Sequence, residues 1–587
     1  MKNNGQLIKK TFFSLMLIDA ISMLFSIACT VIDTVVTGRF LGTDAVAAAG
    51  LVQPVLMALN ALAMLFGPGI SLVCSRYIGK AMKERVNQVF TLVMTAILIV
   101  FAAVSILLYA LAPAIAAAVG GSASKTIVAM TADYLRGYAF GVLPMNLSMT
   151  LAGLMVLDND RGLAIAQMLT LLVGDVVLDL LNVLVFHGGM WGMAVATSVS
   201  QVLGLLVILT HFLKKNRILH LSFRGLQAGD LAEVMRSGIP NLLTLGGQTA
   251  RSLCFNFLLL TVAGSGAVAA MTVGNTVMSL VGAGMAGAIT ATATLTSLLY
   301  GEEDRNGLAQ TLAVSLRTTV SVITVIVLLL AAFARPLSGL FLEDGSEETL
   351  RQAARFVRFF TLQTLFMAPS YSLGGAYMGV KQLRLNSIIA LMRDCVLQIA
   401  CTWSLTKLLG LAGFEISLIV SAILLLCFCI AIPWVKNRRF PRSFADLLML
   451  PDSFGPAPEA VYAASAETVE DVMKISQEIQ SFCRARNAEP RLANLASLFV
   501  EEMAKNTVTH GFNKDRPGSV DIRLVFYDDV RVIRFRDNGM PFNPVEWLEK
   551  NHPEDPASGI GIRMIVAMAK DVNYISAVGW NNLMITL

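Results

Sequence analysis

The sequence predicts an all-α polytopic membrane domain of twelve helices in two pseudo-symmetric six-helix lobes, followed by a smaller C-terminal α/β sandwich. Three observations predict it. The 587 residues are 55% hydrophobic and only 14% charged, too apolar for a soluble protein of this size. The charge is uneven. Residues 451–587 hold 14 of the 45 Lys and Arg and 19 of the 40 Asp and Glu, so the first 450 residues are sparsely charged and basic and the rest soluble-like and acidic. Finally, long apolar segments recur at roughly 12–37, 49–75, 87–111, 133–157, 163–186 and 190–213. After a polar stretch they resume at 238–262, 267–298, 309–333, 355–379, 385–409 and 412–435. Segments of this kind span a hydrocarbon layer of ~30 Å as helices.

Taken in order, MKNNGQLIKK and the apolar run after it resemble a signal peptide only superficially. The run continues to Thr37, contains Asp19 and Asp33, and shows no cleavage site, so it reads as a retained first span. Lys and Arg cluster in the N-terminal tail, after spans 2 and 6, and after span 12 (Lys436, Arg438, Arg439, Arg442). The loops after odd spans are poorer in them, with Arg335 and Arg351 as partial exceptions. The positive-inside rule then places both termini in the cytoplasm, of a bacterial inner membrane in the simplest reading. The eight cysteines are scattered, lack zinc-ligand spacing with His, and read as reduced.

The two halves repeat at a fixed offset of 222. GTDAVAA (42–48) meets GSGAVAA (264–270), and Gly79, Arg136 and Gly153 meet Gly301, Arg358 and Gly375. Six spans per copy give both copies the same topology, a parallel-repeat transporter architecture. The expected divisions are 1–222 and 223–442 for the lobes, 443–458 for a Pro-rich linker, and 459–587 for the C-terminal domain.

Asp175 and Asp179 sit one helical turn apart in the apolar run from Leu163 to Phe186. Spacing i, i+4 puts both carboxylates on one helix face. A charge at bilayer depth costs at least ~2.5–3.5 kcal/mol, so such residues face a protein interior or a wet cavity. They read either as structural acids or as a proton- or cation-coupling site.

Residues 1–440 resemble the multidrug and toxic compound extrusion (MATE) family. The resemblance rests on TVIDTVVTGRFLGTDAVAAAGLVQP (30–54), GDVVLDLL (174–181), GMAVATSVSQ (192–201) and the two-lobed plan. It implies export of organic cations or other amphipathic substrates in exchange for H+ or Na+. The family's coupling acids fall on Asp33 and Asp179. Asp175 stands where the family often has Asn, and Leu180 where it often has Pro, so an extra acid joins the site. In the second half Arg251 and the neighbours Arg393 and Asp394 are intramembrane. The pair reads as self-neutralising; Arg251 reads as a structural counter-ion or a contact for an anionic substrate.

After the linker an α/β pattern begins. VYAAS is strand-like, 467–486 and 491–508 read as helices, 520–527 and 530–536 as strands, 559–569 as a helix, and 574–578 and 583–587 as strands. Three motifs stand in order: Glu502-x-x-x-Asn506 with His510-Gly511-Phe512, then Asp537-Asn538-Gly539 running to Pro544, then Gly559-Ile560-Gly561 opening a helix. Together they resemble the N, G1 and G2 boxes of the GHKL (Bergerat-fold) ATPases, in the branch of bacterial anti-sigma-factor serine kinases. The resemblance implies ATP and Mg2+ as ligands. Asn506 would complete the Mg2+ shell, Glu502 act as base and Asp537 meet the adenine amino group. Gly539, Gly559 and Gly561 would admit backbone N–H groups to nucleotide. A short lid from Asn543 to Ser558 offers Lys550 and His552 to phosphate. None of the five histidines lies between 221 and 509, which argues against phosphohistidine signalling in cis, and no P-loop is present.

These readings combine into a cation-coupled antiporter with a cytoplasmic ATP-binding regulatory domain. Two alternatives stay open: a receptor-kinase whose helical body senses a ligand while the C-terminal domain phosphorylates or sequesters a regulatory protein, and a lipid-linked saccharide flippase. The membrane part is not expected to be an enzyme; the C-terminal domain is an ATPase or protein-serine kinase in these readings. Lipid is an expected partner and nucleic acid is not.

Overall fold

The computed structural model describes residues 4–120, 124–214, 217–341, 347–512, 518–527, 529–550 and 559–587. The first half is built from α1 (Asn4–Val36), α2 (Thr43–Ala63), α3 (Gly67–Gly79), α4 (Lys83–Gly120), α5 (Lys125–Leu157), α6 (Arg161–Leu181) and α7 (Gly189–Leu209). The second half contains α8 (Ala228–Gly301), α9 (Arg305–Ala332), α10 (Ala334–Phe341), α11 (Glu347–Gly379), α12 (Leu383–Leu391) and α13 (Leu397–Asn437). A short α14 (Phe444–Leu448) follows.

Helix ends fall where the chemistry dictates. Pro68 opens α3 at its first turn, where a missing N–H costs nothing. The long α8 is two helices joined at Gly264 (φ 75°, ψ −172°), and α13 breaks at Gly410 (φ 63°, ψ −139°). Both are conformations an L side chain avoids. These breaks separate the expected spans 7 from 8 and 11 from 12.

Among the described residues nine helical stretches are long and apolar enough to cross a membrane, rather than twelve. Residues 383–437 form one of these stretches although the chain kinks at Gly410, so the expected spans 11 and 12 both lie within it. The expected spans at 238–262 and 355–379 are helical but too polar to qualify. The second of these, α11, is enclosed by protein: a Cβ on Gly375 would lie 2.5 Å from the Ile289 carbonyl oxygen of α8. A helix that faces other helices has no need of a uniformly apolar surface.

The 222-residue repeat is written in the backbone. Gly42 (φ 86°, ψ −178°) matches Gly264, and the positive-φ residues Ala81 and Asn159 match Glu303 and Lys381 at the same offset. The halves meet most closely at the ends of α3 and α8. A Cβ on Gly79 would lie 2.0 Å from Leu298 O, and one on Gly301 2.1 Å from Arg76 O. The two backbones touch there.

The C-terminal domain comprises β1 (Val461–Ala466), α15 (Val469–Arg484), α16 (Pro490–Asn506), β2 (Val520–Phe526), β3 (Arg531–Asp537), α17 (Pro544–Lys550), α18 (Ile560–Met568), β4 (Asp571–Ala577) and β5 (Trp580–Thr586). The antiparallel sheet has the order β1-β2-β3-β5-β4. Its alternation sorts the faces. Ile522, Leu524, Ile533, Phe535, Leu583 and Ile585 form a core with Val472, Ile475, Ile479, Phe499, Val500 and Met503 of α15 and α16. The intervening Arg523, Arg534, Arg536 and Asn582 point the other way, onto the helical body. Tyr377 Oη donates to Leu447 O, and Gln382 to Leu448 O. The expected linker is therefore strapped to the body rather than loose.

Candidate functional site

Two sites emerge, one in each part. In the body, Asp33 near the end of α1 lies within hydrogen-bonding reach of both Asp175 and Asp179 on α6. Asp175 and Asp179 are buried and Asp33 half-buried. The three expected coupling acids are thus brought together. Ser200 of α7 donates to Asp175 Oδ1 (3.1 Å). Both Asp179 oxygens and Asp33 Oδ1 are buried without a hydrogen-bond donor, and no basic side chain among the described ion pairs reaches the cluster. Three adjoining carboxylates in an apolar setting repel one another as anions. Tyr134 of α5 packs with Ile32 and Leu180, the sequence neighbours of Asp33 and Asp179, and stacks with Tyr138. Ser200 and Tyr134 were not anticipated as site residues; Ser200 does lie in the GMAVATSVSQ motif, while Tyr134 carries no local signal.

In the second half Arg393 and Asp394 pair at 2.8 Å, both buried, within a π-helical turn from Met392 to Val396. The Arg393 guanidinium lies 3.9 Å from the Tyr371 ring centroid. Arg251 stands 5.9 Å from the Phe255 ring centroid.

The C-terminal domain holds a cleft of about 660 Å3 whose lining includes Glu502, Asn506, Asp537, Gly559, Gly561 and Tyr574. The three expected motifs therefore converge. The end of α16 passes into a π turn, Thr507–Gly511, whose last carbonyl accepts from Met540 N (2.8 Å). A Cβ on Gly539 would lie 2.5 Å from that same carbonyl oxygen, so the glycine lets the two loops cross. Asp537 Oδ1 accepts from Gly539 N and from Asn581 Nδ2, both at 2.8 Å. Among the described residues no donor meets its other oxygen. Burial pushes the Asp537 carboxyl up to about 6, against the pull of those two hydrogen bonds. Gly559 is the left-handed N-cap of α18 (φ 65°). A Cβ on Gly561 would lie 2.2 Å from Glu502 Oε2, so the expected base lies directly against the α18 N-terminus. The Asn506 side chain makes no hydrogen bond to protein among the described residues and lines the cleft. The donor set fits Mg-ATP.

Lys550 is tied to Glu546, and His552 lies outside the described residues. Asn581 and Tyr574 were not anticipated: Tyr574 Oη donates to Asn581 Oδ1 (2.9 Å) and accepts from Phe542 N (3.0 Å).

Known proteins bear on both parts. The MatE family model matches residues 20–160 and 240–403, just over half the chain. The chain belongs to the MatE family. A histidine kinase-like ATPase domain model matches residues 465–587, which makes the C-terminal domain of this MatE protein an ATP-binding one. Solved structures agree with the fold. A multidrug resistance MATE transporter of the MOP superfamily, in an outward-facing conformation, is 21% identical with a TM-score of 0.68 and covers 77% of this chain and all of its own. A MOP-superfamily transporter from Pyrococcus furiosus, described as having a binding pocket of reverse polarity, is 22% identical (TM-score 0.66) with the same coverage. A MATE protein in the straight conformation is 20% identical (TM-score 0.68), again covering 77% of this chain and 100% of that one. No curated protein sequence matches significantly.

Proposed function

We propose that this MatE protein is a secondary antiporter that exports organic cations or similar amphipathic molecules in exchange for H+ or Na+, with its ATP-binding domain regulating rather than driving transport. The observation that carries this is the convergence of Asp33, Asp175 and Asp179, with buried oxygens of Asp33 and Asp179 that receive no donor. Such a cluster binds a proton or cation in one state of the protein and releases it in the other. One charge moved through 100 mV supplies ~2.3 kcal/mol, so no nucleotide engine is required. Both termini and the ATP-binding domain lie in the cytoplasm, as the loop charges indicate.

In the cleft, Asp537 receives the adenine amino group, Asn506 holds Mg2+, Gly559 and Gly561 present backbone N–H groups to phosphate, and Glu502 acts as base. The deciding experiment is flux of a fluorescent organic cation, ethidium, in vesicles containing the full-length protein, driven separately by a proton and a sodium gradient. Flux that follows one gradient and is lost in Asp179→Asn supports the reading. Flux that needs ATP and ignores both gradients overturns it.

A further inference from the structure

The ATP-binding domain meets the helical body through the polar face of its sheet, and this face grips both halves at once. On the first half, Trp580 Nε1 donates to Thr11 Oγ1 (2.7 Å), Val578 N to Leu157 O (3.0 Å) and Arg161 to Val578 O (2.6 Å). On the second half, Arg536 pairs with Glu302 (2.8 Å) and Asp304 (3.2 Å), Asn582 Nδ2 donates to Glu302 Oε1 (2.8 Å), and Arg523 donates to the carbonyls of Glu302 and Glu303. Arg534 spans the seam. Its Nη1 donates to Gly79 O of the first half (2.7 Å) and lies 3.6 Å from Glu302 Oε1 of the second. One guanidinium reaches both groups only while the α3 and α8 ends are in contact, as they are here at Gly79 and Gly301.

A hydrogen-bond chain joins this surface to the nucleotide cleft. Asn581 donates to Asp537 Oδ1, Ser576 Oγ donates to Asn581 Oδ1 (2.9 Å), and Asn159 Nδ2 of the body donates to Ser576 Oγ (2.8 Å). Asn581 therefore touches the adenine-recognising carboxylate on one side and the α5–α6 loop, through one hydroxyl, on the other. Among the described residues Asp521 Oδ2 and Arg536 Nε and Nη1 have no hydrogen-bond partner, and both residues line a cavity of about 290 Å3 at the seam, roomy and polar enough for water.

We propose that the sheet face of the ATP-binding domain is a receptor for the paired loop ends of the two lobes, so that the domain clamps the body closed at this face and nucleotide in the cleft strengthens the clamp. The proposal rests on the antiporter reading for its consequence, since alternating access must part the halves at this face. The arrangement of Asp537 and Asn581 that receives adenine is the one that docking uses. Binding and docking therefore favour each other, and the coupling is reciprocal.

The test uses the full-length protein in vesicles with AMP-PNP, which binds without turnover. Two readouts are taken: ethidium flux, and hydrogen–deuterium exchange of residues 157–161 and 301–304. In the wild type AMP-PNP slows flux at least about fivefold, the lower end of ordinary allosteric coupling, and slows exchange in both loops. In Arg534→Met, and separately in Ser576→Ala, AMP-PNP still binds but neither changes flux nor protects the loops. The loss of a single hydroxyl in Ser576→Ala keeps the test informative where Arg534→Met fails to fold. Equal loop protection in wild type and Ser576→Ala, or none in the wild type with nucleotide bound, overturns the proposal. A wild type without flux under any gradient removes the antiporter reading, while the exchange readout still decides the clamp.

Discussion

Asp179 of α6 stands within hydrogen-bonding reach of Asp33 of α1, with neither of its buried oxygens receiving a donor. This pairing of acids from helices far apart in sequence is what a neutral amide cannot reproduce: Asn carries no exchangeable charge. Asp179→Asn is expected to lower ion-coupled ethidium flux at least about a hundredfold, with the protein still folded by size exclusion in detergent. Asp33→Asn is expected to follow it. Asp175 already has a donor in Ser200, so Asp175→Asn is expected to keep a measurable fraction of the flux. Undiminished flux in Asp179→Asn would refute the coupling role.

Asp537 and Asn506 are expected to carry nucleotide affinity in different ways. Removing a hydrogen bond to a charged acceptor costs about 1.5–3 kcal/mol, roughly 10- to 150-fold in affinity. Asp537→Asn is therefore expected to weaken both adenosine and Mg-ATP by that factor. Asn506→Ala is expected to weaken Mg-ATP and leave adenosine unchanged. Equilibrium dialysis on the full-length protein separates the two. A uniform loss for both ligands in Asn506→Ala would reassign it from metal to base recognition.

The pH dependence follows from Asp537. Its carboxyl titrates at about 6 in the folded protein against an ordinary value of 3.8, chiefly through burial. Holding the proton more tightly when folded, the group contributes most stability below 3.8 and loses that contribution as pH rises to 6. Nucleotide recognition runs the other way, because only the ionised form accepts from an adenine amino group without offering a proton of its own. Adenosine affinity is expected to fall about tenfold per unit below pH 6 and to level off above it. Adenosine has no phosphate to titrate there, so a flat profile between pH 5 and 7 would remove Asp537 from the base contact.

How much of this was legible in the chain depends on whether the physics is local. The 222-residue offset was readable because Gly42 and Gly264 need the same left-handed backbone in each copy. The acids of α6 were readable because a carboxylate in an apolar run has few innocent explanations. The strands and helices of the last domain shifted by only a few residues, their alternation being set by one buried face. What sequence concealed was the second face of that sheet. Arg523, Arg534 and Arg536 alternate with core residues as a solvated surface would, and nothing near them says that Glu302, more than two hundred residues away, covers them. The span containing Gln363 was visible as a helix but not as the protein-enclosed one it is, whereas the Arg251 span leaves Leu253, Phe257 and Leu260 exposed. Asn581 lies in a plain strand, and its role comes only from the neighbours Asp537 and Ser576.

At the seam read by Arg534 the two halves touch backbone to backbone at two glycines, and this gives the sharpest structural prediction. A Cβ on Gly79 would stand 2.0 Å from Leu298 O, and one on Gly301 2.1 Å from Arg76 O. These are backbone atoms, which cannot rotate aside as a side chain does, so the helix ends must part. Parting them separates Gly79 O from Glu302 and takes from Arg534 one of its two partners. Gly79→Ala is therefore expected to speed amide exchange in residues 301–304 severalfold and to weaken the effect of nucleotide on flux. Gly50→Ala is the matched control, since a Cβ there meets nothing within 4 Å; it is expected to behave as wild type in both assays. Exchange in 301–304 that is the same in Gly79→Ala as in Gly50→Ala would show that the halves are not held by this contact, and Arg534 would then be reading something other than their closure.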